Sequence, residues 1–79
     1  MKHRSGLETA FGNSIKKFRM RLGLSQEQLA ELADLHRTYV GDVERGERNI
    51  SLLNMWKIAK ALRIRLSDLI REMETLAAK

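Results

Sequence analysis

The sequence predicts an all-α domain, and three observations support this prediction. The 79-residue chain contains no proline, so no strong helix breaker interrupts it. Leucine, alanine, glutamate, lysine and arginine, which all favour helices, are abundant. Apolar residues also recur at helical spacing in successive segments. The length suffices for one small domain, and the absence of cysteine excludes disulfides and thiolate metal sites as stabilising elements.

The first helix is predicted over residues 8–22, and residues 1–7 are expected to form a flexible arm before it. One face of this helix carries apolar side chains at positions i, i+4, i+7 and i+11, namely Phe11, Ile15, Phe18 and Leu22. Gly23 follows in the position where glycine usually ends a helix. Residues 8–79 contain no linker or repeat and are predicted to form a single domain.

The next two helices are predicted to be short and joined by a tight turn. Ser25 is expected to cap the second helix with its hydroxyl, and Gln28 completes a capping-box pattern. This helix should extend to about Ala33 and face inward with Leu29, Leu32 and Ala33. The third helix is predicted over residues 37–44, with Val40 and Val43 facing inward.

Two further helices are predicted in the second half of the chain. Ser51 should cap a fourth helix that ends near residue 62, with an apolar stripe of Leu52, Met55, Ile58, Ala59 and Leu62. Ser67 is expected to cap a fifth helix that ends near residue 77, with one apolar side formed by Leu69, Ile70, Met73 and Leu76. The prediction is therefore one compact domain of five short helices.

The charge of the chain favours a polyanionic partner. Lysine and arginine number 15 against 10 acidic residues, which gives a formal net charge of +5, although many small proteins are basic without binding nucleic acid. No apolar run approaches the roughly 18 residues of a membrane span, and no secretory signal is expected, so a cytoplasmic protein without membrane contact is predicted. His3 and His36 lack partners at metal-ligand spacing, and no catalytic constellation stands out. Neither an enzyme nor a metal or other cofactor is predicted.

Several segments resemble the helix-turn-helix domain of the phage Cro and repressor superfamily: LGLSQ at 22–26, LA at 29–30, VGDVERG at 40–46 and ALRIRLSDL at 61–69. The resemblance implies a compact, five-helix, lambda-repressor-like fold whose second and third helices bind DNA. Asp34 and Arg63 stand where that family usually has glycine. We therefore expect a left-handed backbone at both positions, which aspartate tolerates better than most residues.

Residues 35–40 and 43–52 are similar to the controller proteins of restriction–modification systems. This narrower resemblance implies a homodimeric transcription regulator of the bacterial cytoplasm that binds a palindromic operator in double-stranded DNA. It also implies control of its own promoter and that of a linked endonuclease, with RNA polymerase as a further partner and no small-molecule effector. A helix-turn-helix antitoxin, a prophage-type repressor and a helical domain that binds only protein are the alternatives.

The resemblance also suggests how individual residues contact DNA. At the start of the third helix, Arg37 and Thr38 are expected to read base edges, although Arg37 could instead bind a phosphate. Gly41 is expected to let the backbone of this helix approach the bases closely. The residues expected at the DNA backbone are Gln26, Tyr39, Arg45, Arg48 and Asn49. For Tyr39, packing of the ring on the second helix is the alternative, and a solvated loop is the alternative for the last three.

Two further groups of residues are assigned structural roles. By alignment to the family, Arg19 and Glu44 form a partly buried ion pair between the first and third helices. The fifth helix is more apolar than one small core requires, which favours a two-fold interface formed by Leu53, Trp56, Leu66, Leu69, Ile70 and Met73. The alternative is that these side chains only complete the core of their own protomer.

Overall fold

Five helices make up the part of the chain that the structure describes. A computed structural model describes residues 6–78, in which the helices are α1 (Leu7–Arg21), α2 (Gln26–Ala33), α3 (Arg37–Glu44), α4 (Leu52–Ala61) and α5 (Leu66–Ala77). The predicted all-α class and the order of its helices are confirmed. Helix α1 already begins at Leu7, and residues 1–5 of the predicted arm lie outside the described residues.

Local signals end α1 and start α2 as the sequence predicts. Gly23 adopts a left-handed φ of 70°, which allows the amide of Leu24 to turn back and donate to the carbonyl of Arg19 at 3.1 Å. The hydroxyl of Ser25 then accepts from the amide of Gln28 at 3.0 Å, while the Gln28 side chain accepts from the amide of Ser25 at 2.8 Å. The predicted capping box is therefore confirmed.

The two positions that depart from the family's glycines do adopt left-handed backbone conformations. Asp34 has φ 58° and ends α2, and Arg63 has φ 60° in the turn after α4. After each of them the chain folds back, because the amide of Leu35 donates to the carbonyl of Ala30 at 2.8 Å and that of Ile64 donates to Ala59 at 3.1 Å. These hydrogen bonds satisfy carbonyls at the helix ends and help to hold the strained residues in place.

The core lies where all five helices converge. Helix α1 packs against α5 and α3, while α2 packs against α3 and α4. The buried apolar cluster contains Phe11, Ile15, Leu29, Ala30, Ala33, Val40, Val43, Ile58, Ala59, Leu62 and Leu69. Because α2 and α3 each bury one side in this cluster, the opposite side of α3 is left at the surface of the molecule.

Four local predictions are wrong. Leu22, assigned to the apolar face of the first helix, is the C-cap after α1 and is 47% exposed. Leu32 is 61% exposed, since it lies two residues after buried Ala30 and hence on the opposite side of α2. Leu52 is 69% exposed because it lies in the first turn of α4, where neighbouring helices no longer cover it. Helix α5 starts one residue before Ser67, because the carboxylate of Asp68 accepts from the amide of Arg65 at 3.0 Å and fixes Arg65 as the N-cap.

Candidate nucleic-acid interface

The surface around the first turn of α3 presents two polar side chains to solvent. Arg37 and Thr38 are both exposed, and His36 precedes them as the N-cap without a capping hydrogen bond from its side chain. Within residues 6–78, the guanidinium of Arg37 has no carboxylate partner. Its donors are therefore available to a ligand, and their fixed fork matches the two acceptors on the major-groove edge of guanine.

A buried ion pair holds α3 against α1. The Nε of Arg19 donates to Oε2 of Glu44 at 2.7 Å, and its Nη2 donates to Oε1 at 3.0 Å. The side chains are only 11% and 3% exposed. Arg19 also donates from Nη1 to the carbonyl of Leu24 at 2.8 Å, so that it anchors the start of the turn into α2 as well. This geometry is that of a structural pair, which water cannot easily reach.

Gln26 joins the same network from the first turn of α2. Its Nε2 donates to Oε1 of Glu44 at 2.9 Å, and the side chain is half-buried. Since a carboxamide nitrogen carries two hydrogens, one donor remains for a ligand such as a phosphate oxygen. The amides at the start of α2 point in the direction that favours an anion. The hydrogen bond to Glu44 therefore orients the side chain that the sequence assigns to the DNA backbone.

Tyr39 is half-buried, and its ring packs against the core while its hydroxyl keeps a polar partner. Asn54 in α4 donates from Nδ2 to the Tyr39 hydroxyl at 3.1 Å, which leaves the hydroxyl proton free to donate elsewhere. The guanidinium of Arg48 stacks over the ring, with Cζ 5.3 Å from the ring centroid. The role of Asn54 was not predicted from the sequence, because no local pattern relates it to a residue 15 positions earlier.

The loop after α3 presents basic side chains that are paired with carboxylates. Asp42 accepts from Nη2 of Arg45 at 2.5 Å and from Nε of Arg48 at 3.3 Å, and Arg45 also donates to Glu47 at 3.2 Å. Asn49 follows them and is exposed. The structure thus brings Arg45 and Arg48 together beside α3, where Asp42 holds both.

Gly41 lies beneath the side chains of Arg45 and Gln26 and does not form an open surface. It is buried, and a Cβ placed on it would lie 3.2 Å from Nη1 of Arg45 and 3.4 Å from Oε1 of Gln26. The absence of a side chain therefore makes room for the guanidinium and the carboxamide above it.

The residues assigned to a two-fold interface divide into three groups. Leu53 is 59% exposed and Trp56 50% exposed, so both remain available to a partner. Leu66, Ile70 and Met73 are half-buried against the core of their own chain. Leu69 is fully buried, and its assignment to an interface is wrong because its side chain already packs in the core cluster with Ile58 and Leu62.

The structure shows neither a membrane helix nor a metal cluster in the part of the chain it describes. None of the described helices is long and apolar enough to cross a membrane. Among residues 6–78, no three histidine, aspartate or glutamate side chains meet in a group that could hold a metal ion.

The sequence and fold of this chain are similar to those of known proteins, and these similarities show its family. A family model described as helix-turn-helix matches residues 15–69, and the chain belongs to this family of DNA-binding regulators. Within it, the chain is similar to the control protein C.BamHI from Bacillus amyloliquefaciens, with 45% identity over 67 residues that cover 84% of this chain and 83% of that protein. The predicted resemblance to controller proteins is thereby confirmed.

Solved structures extend the similarity to three dimensions. The restriction–modification controller protein C.AhdI from Aeromonas hydrophila superposes with a TM-score of 0.78 at 50% identity, over 78% of this chain and 94% of that chain. The controller protein C.Esp1396I, solved as a tetramer in complex with its natural 35-base-pair operator, gives a TM-score of 0.88 at 30% identity. That match covers 96% of this chain and all of the other.

Proposed function

We propose that this chain is the controller of a restriction–modification system, and that it binds a palindromic operator in double-stranded DNA as a symmetric homodimer. The observation that carries the proposal is the guanidinium of Arg37, which has no carboxylate partner among residues 6–78 and lies at the exposed start of α3, a helix fixed by the buried pair of Arg19 and Glu44. A rigid helix with free donors at its N-terminal turn is suited to reading bases in the major groove.

Base recognition is assigned to the first turn of α3. Arg37 can donate two hydrogen bonds to O6 and N7 of a guanine, a pairing that contributes about 1–3 kcal/mol of discrimination. Thr38 offers a hydroxyl to a base or phosphate and a methyl group to a thymine. Gly41 contributes to readout only by allowing the side chains above it to lie close to α3.

Contacts to the DNA backbone are assigned to both sides of this helix. Gln26 supplies its remaining amide hydrogen from the first turn of α2, and Tyr39 supplies its hydroxyl proton. Arg45, Arg48 and Asn49 supply donors from the loop on the other side. Such contacts position α3 on the duplex, whereas the bases determine which sequence is bound.

Dimerisation is needed because one short helix reads only a few base pairs. Two copies related by a two-fold axis place their recognition helices about 34 Å apart, one turn of the duplex. The exposed Leu53 and Trp56 of α4 form the proposed centre of this interface. Leu66, Ile70 and Met73 border it with their partly exposed edges. Burial of these side chains supplements the small core of each protomer.

Regulation follows from binding alone. We assign to the dimer no catalytic activity, cofactor or small-molecule effector, and we place it in the bacterial cytoplasm, where DNA and RNA polymerase are present. Low occupancy of the promoter would recruit or assist RNA polymerase, and high occupancy would block it. The level of the protein would in this way set the expression of its own gene and of the linked endonuclease.

A titration of DNA duplexes tests this proposal. A labelled duplex from the promoter of the chain's own gene is compared with a scrambled duplex by fluorescence anisotropy, at about 50 and about 200 mM salt. We expect the promoter duplex to bind at least about a thousandfold more tightly, and both affinities to fall with salt. Equal affinity for the two duplexes, or affinities that do not respond to salt, would contradict it.

A further inference from the structure

Asp42 occupies an unusual place for a carboxylate on a DNA-binding surface. It lies on α3, between the exposed first turn and the basic loop, and its side chain is 21% exposed. A negative charge here repels phosphate, so its presence needs a physical reason. Its two oxygens accept from different arginines, Oδ1 from Arg45 and Oδ2 from Arg48. One carboxylate thus holds both guanidinium groups of the loop.

Backbone geometry brings these groups together. The amide of Glu47 donates to the carbonyl of Asp42 at 2.9 Å, which folds the loop back over the end of α3. Gly41 leaves open the space that the guanidinium of Arg45 occupies, since a Cβ there would lie 3.2 Å from its Nη1. Arg48 is held a second time by stacking on Tyr39. The arrangement is therefore built by backbone and side chains together.

The charges of this loop cancel. Arg45 and Arg48 contribute two positive charges, and Asp42 and Glu47 contribute two negative ones within salt-bridge distance. Each guanidinium keeps further N–H donors, but Asp42 fixes their direction, so a phosphate in an arbitrary register must compete with the carboxylate for the arginines. Non-specific binding consists almost entirely of phosphate contacts in arbitrary registers, so it loses most from this competition. At a specific site, base contacts at Arg37 fix one register, in which phosphates can meet the donors of Arg45 and Arg48 that Asp42 leaves free.

From this geometry we infer that Asp42 is a specificity-determining positioning residue, an internal substitute for phosphate that holds Arg45 and Arg48 back from random DNA. The inference rests on the proposed function. In this inference the Asp42 carboxylate binds the arginines of the loop. It does not accept a hydrogen bond from a cytosine, as it would if Asp42 read a base directly.

The test compares Asp42→Asn with the wild-type chain on a promoter duplex and on a scrambled duplex, each over a series of salt concentrations. We expect the variant to bind scrambled DNA about three- to tenfold more tightly, with a salt dependence steeper by about 0.9 for each additional phosphate that it neutralises. The ratio of specific to non-specific affinity should fall. Circular dichroism should show that the variant keeps the helix content of the wild-type chain, and Asp42→Ser should give the same result.

Two controls separate this effect from net charge and from packing. Glu74→Gln removes the same charge from an exposed position on α5, and should change non-specific affinity by less than about twofold because salt screens distant charges. Asp42→Glu keeps the carboxylate and should retain the low non-specific affinity of the wild-type chain.

Three results would overturn the inference. The first is unchanged binding of scrambled DNA by Asp42→Asn, and the second is a change no larger than that of Glu74→Gln. The third is a loss of promoter affinity alone, which would assign Asp42 to a base. A wild-type chain that binds neither duplex would contradict the proposed function itself, and the inference with it.

Discussion

Glu44 accepts hydrogen bonds from Arg19 through both of its carboxylate oxygens, at 2.7 and 3.0 Å, and is almost completely buried. Gln26 donates to the same carboxylate at 2.9 Å. One side chain thereby connects α1, the first turn of α2 and the last turn of α3. The orientation of the recognition helix and that of its proposed phosphate contact consequently depend on the same buried charge.

Arg19→Met should destabilise the fold strongly. The substitution keeps much of the side-chain volume but leaves the Glu44 carboxylate with Gln26 as its remaining side-chain partner among residues 6–78. A buried charge that has lost its partner lowers the free energy of unfolding by about 3–5 kcal/mol. Chemical denaturation measures the free energy of unfolding, with Arg21→Met as the control, because Arg21 is an exposed arginine of the same helix. Equal stability losses in the two variants would contradict the structural role of the pair.

Arg37→Ala should weaken operator binding and leave stability unchanged. Its guanidinium is exposed and has no carboxylate partner within the described residues, so no ion pair is lost. Loss of a bidentate contact to guanine should reduce operator affinity by about 1–3 kcal/mol and random-duplex affinity by much less. Arg71→Ala, an exposed arginine on α5, is the matched control. If Arg37→Ala weakened binding to both duplexes equally, Arg37 would be a phosphate contact.

Loss of the exposed side chains of α4 should weaken the dimer. The double substitution of Leu53→Ala and Trp56→Ala removes two side chains that are 59% and 50% exposed in the protomer, so the fold should persist. Sedimentation equilibrium should show at least a tenfold weaker association, about 1.4 kcal/mol. Met20→Ala, which removes a 62% exposed side chain from α1, should leave association unchanged. If the double variant dimerised as strongly as the wild-type chain, the interface would have to lie elsewhere.

Gly12→Ala should destabilise the chain although alanine is the better helix former. A Cβ at this position would overlap the backbone carbonyls of Val43 and Glu44, so α1 and α3 would have to separate. We expect a loss of about 2 kcal/mol or more, against an intrinsic helix gain of about 1 kcal/mol. Gly23→Ala meets no atom within 4 Å and should lose only about 1 kcal/mol from its left-handed backbone. Thermal unfolding of both variants measures the two stability losses. A larger loss for Gly23→Ala than for Gly12→Ala would contradict the close packing of α1 against α3.

The helices were predictable because their signals are local. Ser25 and Gln28 lie three residues apart and form the capping box that their identities indicate. The left-handed turns at Asp34 and Arg63 were also expected, since they stand where the resembling family has glycine. A pattern of this kind depends on neighbours along the chain, and tertiary packing did not override it.

What the sequence could not predict depends on contacts between distant segments. Leu69 and Leu53 are both apolar and both lie on amphipathic helices, yet one is fully buried and the other is 59% exposed. Only the packing of α5 on the core decides this difference. Likewise, the hydrogen bond between Asn54 and Tyr39 joins two helices whose relative position no local pattern specifies.

Selection of binding sites from a randomised duplex library is the most direct measurement of the central claim, that α3 reads DNA sequence as part of a symmetric dimer. We predict enrichment of a palindrome whose half-site centres lie about 10 base pairs apart. In the Arg37→Ala variant, the preference at one base pair in each half-site should be lost. No enriched sequence, or a single half-site without symmetry, would contradict the account.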